Sequence, residues 1–270
     1  MQRRLWKEAG IMNMQIHHFE KKGREKRECD DVFYMVHTKG KSMFLLADGV
    51  TDGRFSKEGI YSIAECLGSL LFHTGIWTEE SLKGTVSRMV QNTIGELARK
   101  NQCDRKEFAS TLLIVFMTEE EEEIWILHLG DGALFHLDEE GNISILSYPH
   151  YGILKQYTYT TASKKLYHLL RVSKKQADGW IFGMTDGMMN EIMEDADTVK
   201  PEYAIMIRNK DWNNLKRSIH GKALGDDASF FAIASDCHEQ IYQMWDDFRV
   251  KPRERDFTES EIKKERETDG

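Results

Sequence analysis

The alternation of apolar and polar positions divides the first hundred residues into a hairpin and two helices. Residues 31–37 and 42–47 are rich in Val, Phe, Met and Leu and are separated by a short polar stretch, which predicts an antiparallel hairpin. In residues 56–74 the apolar positions recur at intervals of three and four, and Ser56 stands at the N-cap position, so a helix is predicted. The same period in residues 77–100 predicts a second long helix.

The middle of the chain changes to short apolar runs that are broken by polar or glycine turns. Four such runs predict an antiparallel meander, at residues 109–116, 124–129, 133–137 and 143–146. The following residues, 151–176, give mixed signals, because a Tyr-Thr tract favours a strand and the second half favours a helix. The structure of that stretch stays open at this stage.

The last third of the chain predicts alternating strands and helices before a charged tail. The pattern predicts a strand, two helices and a final strand, at residues 180–184, 200–207, 212–220 and 228–234. From about residue 246 onward strongly apolar residues are rare, which is typical of a flexible tail. We therefore predict an α+β protein with one domain at residues 12–240 and a charged C-terminal tail at residues 241–270.

Composition and charge narrow the classes of function. With 270 residues, of which 40% are hydrophobic, the chain can bury one large core. The net charge of −8 argues against a nucleic-acid partner, since such binding requires a basic surface that neutralises phosphates. No apolar run approaches the roughly 18 residues of a membrane span, and no signal peptide is recognisable, so we expect a cytoplasmic protein with no membrane partner. The four cysteines form no CxxC pair, which indicates free thiols.

Aspartates stand where several of the predicted strands begin or end. Five motifs share this placement: Cys29-Asp30-Asp31, Ala47-Asp48-Gly49, Gly130-Asp131-Gly132, Thr185-Asp186-Gly187 and Gly225-Asp226-Asp227. A single Asp-Gly pair is explained most simply as a tight turn. Carboxylates at the ends of several strands, however, can converge on one edge of a sheet sandwich, where they repel one another unless a cation lies among them. Oxygen ligands without His or Cys select hard cations such as Mg²⁺ or Mn²⁺.

These motifs, in this order, resemble those of the protein phosphatase 2C family of metal-dependent serine/threonine phosphatases. Each motif is weak alone, but the ordered set is specific. The resemblance extends over residues 12–236 and includes one further stretch, Ala109-Ser110-Thr111-Leu112. Two of the five motifs are similar to the family over slightly longer stretches, Leu129-Gly130-Asp131-Gly132 and Asp226-Asp227-Ala228-Ser229. It implies a four-layer α-β-β-α sandwich, in which two antiparallel sheets are flanked by helix pairs.

The resemblance also implies a centre of two Mn²⁺ or Mg²⁺ ions, with a third, weaker site. Asp48 would bridge the two ions, and the carbonyl oxygen of Gly49 would add one ligand. Asp186 and Asp226 would hold the second ion. Asp30 and Asp31 would contact the ions mostly through metal-bound waters. Asp131 would lie near the third ion.

The activity implied by the resemblance is hydrolysis of phosphoserine or phosphothreonine in proteins by a metal-activated water. The basic residue that binds the substrate phosphate would be Lys26 or a neighbouring arginine, Arg27 or Arg24, and the sequence does not choose among them. The histidine that eukaryotic members carry after the first Asp-Gly is absent, which leaves Asp31 or a water as the general acid. The implied partners are a phosphorylated protein substrate and a cognate Ser/Thr kinase.

Other interpretations of the same residues fit less well. The loop that begins at Asp48 resembles an EF-hand, but Val50 and Gly59 stand where that loop needs ligands. Ser110 belongs to no GxSxG elbow of the kind that serine hydrolases use. The remaining alternative is a catalytically weak phosphatase-like module that serves in regulation or binding. Asn190 replaces an aspartate that the family often has for the third ion, so that site is weakened in either case.

Overall fold

The structure is a computed structural model that describes residues 13–38, 40–73, 77–118, 123–151, 157–176, 179–195 and 197–236. The predicted tail at residues 241–270 lies outside these ranges, so the proposed domain boundary stays a prediction.

Within the described ranges, ten strands form two antiparallel sheets. The strands are β1 (Asn13–Lys21), β2 (Val32–Thr38), β3 (Lys41–Ala47), β4 (Leu112–Thr118), β5 (Glu123–Leu129), β6 (Ala133–Leu137), β7 (Ile143–Ser147), β8 (Arg171–Gln176), β9 (Trp180–Met184) and β10 (Ala228–Asp236). The first sheet has the order β2-β3-β4-β5-β8, and the second has the order β1-β10-β9-β6-β7.

Six α-helices of the described chain accompany the sheets. They are α1 (Ser56–His73), α2 (Glu79–Lys100), α3 (Leu166–Leu169), α4 (Asp186–Ile192), α5 (Pro201–Arg208) and α6 (Trp212–His220). The long helix α2 begins with a capping box, in which Thr78 and Ser81 each accept a hydrogen bond from the other's backbone N–H. None of the helices in the described part of the chain combines the length and hydrophobicity that a membrane span requires.

Three apolar layers hold the elements together, and strand β3 shows how. All six residues of β3 after Lys41 are buried, because alternate side chains face opposite layers. Met43, Leu45 and Ala47 pack with α1 and α2, whereas Phe44 and Leu46 pack between the two sheets.

A third apolar layer joins the second sheet to helices α4, α5 and α6. The order of layers is therefore helix, sheet, sheet, helix, and the predicted α-β-β-α sandwich is confirmed.

The predicted meander in the middle of the chain is wrong, although its four strands exist. β5 does not pair with β6: β5 pairs with β4 and β8 in the first sheet, and β6 pairs with β7 and β9 in the second. The chain passes from one sheet to the other at Gly130, whose φ of 112° is a left-handed conformation that glycine adopts readily. A short glycine turn looks the same in sequence whether it closes a hairpin or connects two sheets.

Two elements were not predicted from the sequence. Strand β1 lies at the edge of the second sheet, and its polar composition hides the strand pattern. Helix α4 begins at Asp186, within a Thr-Asp-Gly motif that is also typical of a turn. The open stretch at residues 151–176 contains the short helix α3 and the whole of strand β8.

Two helical glycines test the packing of the first helix pair. A Cβ on Gly59 of α1 would lie 2.5 Å from the carbonyl oxygen of Phe108, whereas a Cβ on Gly84 of α2 would have its nearest neighbour, Tyr167, at 3.8 Å. Gly84→Ala should stabilise the protein by about 0.5–1 kcal/mol through helix propensity. Gly59→Ala should instead destabilise it by about 1–3 kcal/mol, because a backbone must move.

Urea unfolding followed by tryptophan fluorescence measures both effects. Equal stabilisation by the two variants would contradict the close approach of α1 to residue 108.

Candidate metal centre

The carboxylates predicted from the strand ends lie at one edge of the sandwich. In the first sheet, Asp48 follows β3 and Asp31 precedes β2, whereas in the second sheet Asp186 follows β9 and Asp226 precedes β10. Asp131 lies in the connection between the two sheets. Antiparallel pairing brings the end of one strand beside the start of its neighbour, so these positions share an edge.

Three of these carboxylates form a close cluster. Each of Asp48, Asp131 and Asp186 offers one oxygen, and the three oxygens lie within 4.8 Å of one another. Asp131 is buried, and the other two are partly buried. At such separations three negative charges repel one another strongly, and a divalent cation among them removes that repulsion.

The backbone of the first Asp-Gly motif is fixed by the neighbouring strand. The amide of Asp48 donates to Oγ1 of Thr111 at 2.9 Å, and the Thr111 amide donates to the Asp48 carbonyl oxygen at 2.9 Å. Gly49 forms an isolated antiparallel bridge with Ser110. Ser110 and Thr111 therefore position Asp48. The sequence motif that contains them had been recognised, but no role had been assigned to it.

Asp31 is the most deeply buried carboxylate of the predicted set, with 2% of its surface exposed. Its Oδ2 accepts a hydrogen bond from Oγ1 of Thr185 at 2.9 Å, and its carboxyl group also contacts that of Asp48. Burial raises the pKa of Asp31 to about 7, and the negative charge of Asp227 adds to the rise.

The pKa values of the three clustered carboxyl groups are also raised. Burial raises the pKa of Asp186 to about 6, with the charge of Asp131 as the next cause. Burial raises the pKa of Asp48 well above its usual value, and the charges of Asp31 and Asp186 raise it further. For Asp131, too, burial is the main cause of the increase. The cluster therefore binds positive charge, either protons or a metal ion, more readily than exposed carboxylates do.

The donor set fits a hard divalent cation. Oδ1 of Asp31 and Oδ1 of Asp131 are buried, and no donor of the described chain supplies either with a hydrogen bond. The other oxygen of Asp131 accepts a hydrogen bond from Oγ1 of Thr158. Buried carboxylate oxygens without donors are the usual ligands of Mg²⁺ and Mn²⁺, which prefer oxygen over nitrogen or sulfur.

A second group of charges lies beside the cluster, around Lys26. Its Nζ lies 3.2 Å from Asp226, 3.4 Å from Asp30 and 3.6 Å from Asp227, and donates to Oγ1 of Thr51 at 3.0 Å. Burial on its own lowers the pKa of Lys26, but the hydrogen bond and charge of Asp226 raise it overall. Lys26 therefore stays protonated and offsets much of the negative charge at this edge.

The structure separates the basic candidates that the sequence had left open. Lys26 reaches the acidic group, whereas Arg27 is exposed and has no contact with the acidic residues in the described chain. Arg24 is exposed as well and pairs with Glu25 at the surface. Of the three, only Lys26 is positioned beside the candidate centre.

Asp227 is a site residue that the sequence analysis did not assign. Its side chain is 1% exposed, and its two oxygens accept hydrogen bonds from the amides of Gly23 (2.7 Å) and Asp30 (2.6 Å). It thus ties the segment that carries Lys26 and Asp30 to the start of β10. The doubled Asp226-Asp227 was the available signal, since one of two adjacent carboxylates can bind a metal while the other serves the backbone.

Thr185 is the second residue that the sequence analysis missed. Its hydroxyl donates to Asp31 of the first sheet and accepts from the amide of Ser229 in the second, at 2.9 Å in both cases. Gly187, two residues after Thr185, permits a close approach to the backbone of Asp227, because a Cβ on Gly187 would lie 2.0 Å from the Asp227 carbonyl oxygen. Thr185 therefore links the two sheets at the site, and Gly187 lets the start of α4 pack against the start of β10.

Comparison with known families gives one match over most of the chain. The family model described as "Protein phosphatase 2C" matches residues 21–225. A comparison with curated proteins found no match.

Several solved structures share the fold. The S. agalactiae serine/threonine phosphatase has a TM-score of 0.62 at 14% identity, with 83% of this chain and 100% of that one covered. The catalytic domain of the serine/threonine protein phosphatase PstP, in complex with two manganese ions, has a TM-score of 0.59 at 9% identity, with 83% and 99% covered. RsbX in complex with magnesium has a TM-score of 0.57 at 13% identity, with 82% and 94% covered.

Asp227 and Asp226 form a matched pair for testing the structural carboxylate. In Asp227→Asn the amide keeps one acceptor and turns a donor toward a backbone N–H, so the free energy of unfolding should fall by about 2–3 kcal/mol. Asp226→Asn, at a side chain that is 49% exposed, should change it by no more than about 0.5 kcal/mol. Urea unfolding in EDTA measures both, and equal losses would contradict the assignment of Asp227 as the anchor.

The raised pKa of Asp186 predicts a pH-dependent stability in the absence of metal. The folded protein binds the proton of the Asp186 carboxyl group more tightly than the unfolded chain does. The contribution of Asp186 to the free energy of unfolding therefore falls as pH rises from about 4 to about 6, and it stays low above pH 6. Asp186→Asn removes the charge and should be more stable than wild type at pH 7.5, by up to about 3 kcal/mol, with no difference near pH 4.

The control for this pH experiment is Asp195→Asn. The exposed Asp195 carboxylate accepts a hydrogen bond from the Asp197 amide, which lowers its pKa, so its removal should bring no gain at high pH. Urea unfolding in EDTA at both pH values makes the comparison. A loss of stability in Asp186→Asn at pH 7.5 would return Asp186 to the role of a turn residue.

Proposed function

The chain belongs to the protein phosphatase 2C family, and we propose that it is an active metal-dependent phosphatase that hydrolyses phosphoserine or phosphothreonine in proteins. The observation that carries this proposal is the cluster of Asp48, Asp131 and Asp186, whose oxygens lie within 4.8 Å of one another at the edge of the sandwich. A domain without a metal function has no physical reason to gather three mutually repelling carboxylates at a buried or partly buried position.

The residues that would hold the ions are those of the cluster and its neighbours. Asp48, Asp131 and Asp186 would share the central position, with Asp226 and Asp30 beside it. Bound Mn²⁺ or Mg²⁺ would supply an activated water and neutralise charge on the phosphoryl oxygens. Two of the structures with the same fold are described with magnesium and with two manganese ions, which supports the same choice of ion here.

The burial of Asp31 favours a positioning role over direct proton transfer to the substrate. A general acid must lie within hydrogen-bond reach of the leaving oxygen, about 3 Å. Asp31 is 2% exposed and is held between Thr185 and Asp48. It therefore orients the Asp48 carboxylate, and a solvent water is the better candidate for protonating the leaving group.

Lys26 is the proposed contact for the substrate phosphate. Its ammonium already balances Asp30, Asp226 and Asp227, so it is fixed in position before the substrate arrives. When cations share the charge of those carboxylates, the ammonium becomes available to an incoming phosphate. Lysine offers a point charge and not the two parallel hydrogen bonds of arginine, so it constrains the orientation of the phosphate less.

The proposed setting is a phosphorylated protein substrate acted on in the cytoplasm, opposite a cognate Ser/Thr kinase. Two observations support a phosphorylated protein as the substrate: the chain belongs to the protein phosphatase 2C family, and the S. agalactiae and PstP structures are described as serine/threonine phosphatases.

Replacement of Asp48 tests the proposed activity. Asp48→Asn keeps the shape but removes a charge from the cluster, so Mn²⁺-dependent hydrolysis of p-nitrophenyl phosphate should fall by about a hundredfold or more. The rise in melting temperature that Mn²⁺ causes in the wild type should also shrink, since a ligand that binds only the folded state raises its stability.

The matched control is Asp52→Asn, because Asp52 belongs to a second Asp-Gly pair four residues later and is exposed. It should keep wild-type turnover and the same Mn²⁺-induced shift. Near wild-type turnover in Asp48→Asn would overturn the proposed site. A wild-type protein that is stabilised by Mn²⁺ but hydrolyses neither p-nitrophenyl phosphate nor phosphopeptides would be a binding module instead.

A further inference from the structure

Residues 141–177 differ from the rest of the chain in charge. Over the whole sequence one residue in six is Asp or Glu, yet this stretch contains neither. It carries six lysines or arginines and five tyrosines in a chain whose net charge is −8. We call it the acid-free segment. Such a local inversion of charge is not required for folding, because most of its basic side chains lie at the surface.

The acid-free segment lies directly beside the candidate metal centre. The His150 amide donates to the Gly130 carbonyl oxygen at 2.7 Å, and Oγ1 of Thr158 donates to the Asp131 carboxylate. The Thr161 amide donates to the carbonyl oxygen of Ser110 at 2.9 Å, and Ser110 directly precedes Thr111, which binds the backbone of Asp48. These contacts place His150 from the first described portion, and Thr158 and Thr161 from the second, at the edge that carries the candidate centre.

Exposed aromatic side chains are concentrated in the same segment. The described chain has four large exposed apolar or aromatic residues, and three of them are Tyr148, Tyr157 and Tyr167, which are 53%, 70% and 38% exposed. Tyrosines of this kind are enriched at protein interfaces, because they offer a large contact area and a hydroxyl at little entropic cost. Two of them flank the contacts just described, because Tyr148 lies two residues before His150 and Tyr157 directly precedes Thr158, whereas Tyr167 lies beside Lys83 of α2.

Several cations of the segment have no acidic partner in the described chain. Lys164, Lys165 and Arg171 are exposed, and none forms an ion pair. The guanidinium of Arg171 donates to the carbonyl oxygen of Tyr148 at 2.9 Å, so a cation and an exposed tyrosine lie side by side. By contrast, Lys174 at the far end of β8 is paired with Glu123. Lys175, beside Lys174, is exposed and unpaired in the described chain as well, but Arg171 lies at the other end of β8, opposite His128, which is two residues before Gly130.

We propose that the described residues 148–151 and 157–171 of the acid-free segment form a docking surface for acidic residues that flank the phosphorylated serine or threonine of the substrate. The inference rests on the proposed phosphatase activity and adds the substrate class. The centre itself is acidic and repels an anionic protein at a distance. A neighbouring basic surface with exposed tyrosines offsets that repulsion and holds the flanking residues while the phosphate enters.

Two phosphopeptides that differ only in their flanks test the proposal. Both carry one phosphoserine, flanked by glutamates in one peptide and by glutamines in the other. Wild-type protein with Mn²⁺ should hydrolyse the glutamate peptide with about tenfold higher kcat/KM, mainly through a lower KM. The preference should fall as salt rises from 50 to about 500 mM, because exposed charges are screened.

The decisive variant is the double charge reversal Lys164→Glu/Lys165→Glu. It should lose the preference for the glutamate peptide and leave hydrolysis of p-nitrophenyl phosphate unchanged, since neither lysine belongs to the centre. Arg208→Glu/Lys210→Glu is the matched control: it makes the same change in charge at two exposed residues, the last residue of α5 and the second residue after it, and should keep the preference. A milder variant, Lys164→Gln/Lys165→Gln, should show about half the effect if the double reversal folds poorly.

Binding is measured separately from turnover, by fluorescence anisotropy of the glutamate peptide without its phosphate. Weaker binding to Lys164→Glu/Lys165→Glu, with unchanged binding to the control, supports the docking surface even when no turnover is seen. Absence of all turnover then counts against the proposed activity alone. Equal binding to the two charge-reversed proteins, or equal hydrolysis of the two peptides by the wild type, overturns the docking surface.

Discussion

Repulsion among carboxylates at one edge of the two sheets is the constraint on which the rest of the site depends. Asp31, Asp48, Asp131 and Asp186 are brought there by strand ends from both sheets, and burial raises the pKa of each. A fold that gathers these charges must supply compensation. Part of it comes from the protein, and the remainder is left to be supplied by cations, which is what makes the edge a candidate metal centre.

The compensation that the protein supplies is specific to individual carboxylates. Thr185 satisfies one oxygen of Asp31, backbone amides satisfy both oxygens of Asp227, and Lys26 balances the outer acidic group. The three clustered carboxylates receive less: Asp131 keeps one buried oxygen without a donor. The distinction separates carboxylates with a structural role from those left available to ligands.

The rigidity of the sandwich gives the site its precision. Strand β3 is buried on both faces, and Thr111 holds the backbone of Asp48 through two hydrogen bonds. The acid-free segment is attached to the same edge through Gly130, Asp131 and Ser110. A basic surface and an acidic centre therefore share one frame, which allows charge on one to assist binding at the other.

The sequence by itself determined most of the elements and the class of chemistry, whereas the tertiary structure decided which residues meet. Hydrophobic periodicity located β2, β3, α1 and α2, because that signal is local, and the ordered Asp motifs identified the family and the class of ion. Pairing partners are not local: the Gly130 turn could close a hairpin, and only packing of two sheets shows that it connects them. Likewise the adjacent Asp226 and Asp227 look alike in sequence. Their roles differ because Asp227 accepts a hydrogen bond from the Gly23 amide, 204 residues away along the chain. That contact exists only once the chain has folded.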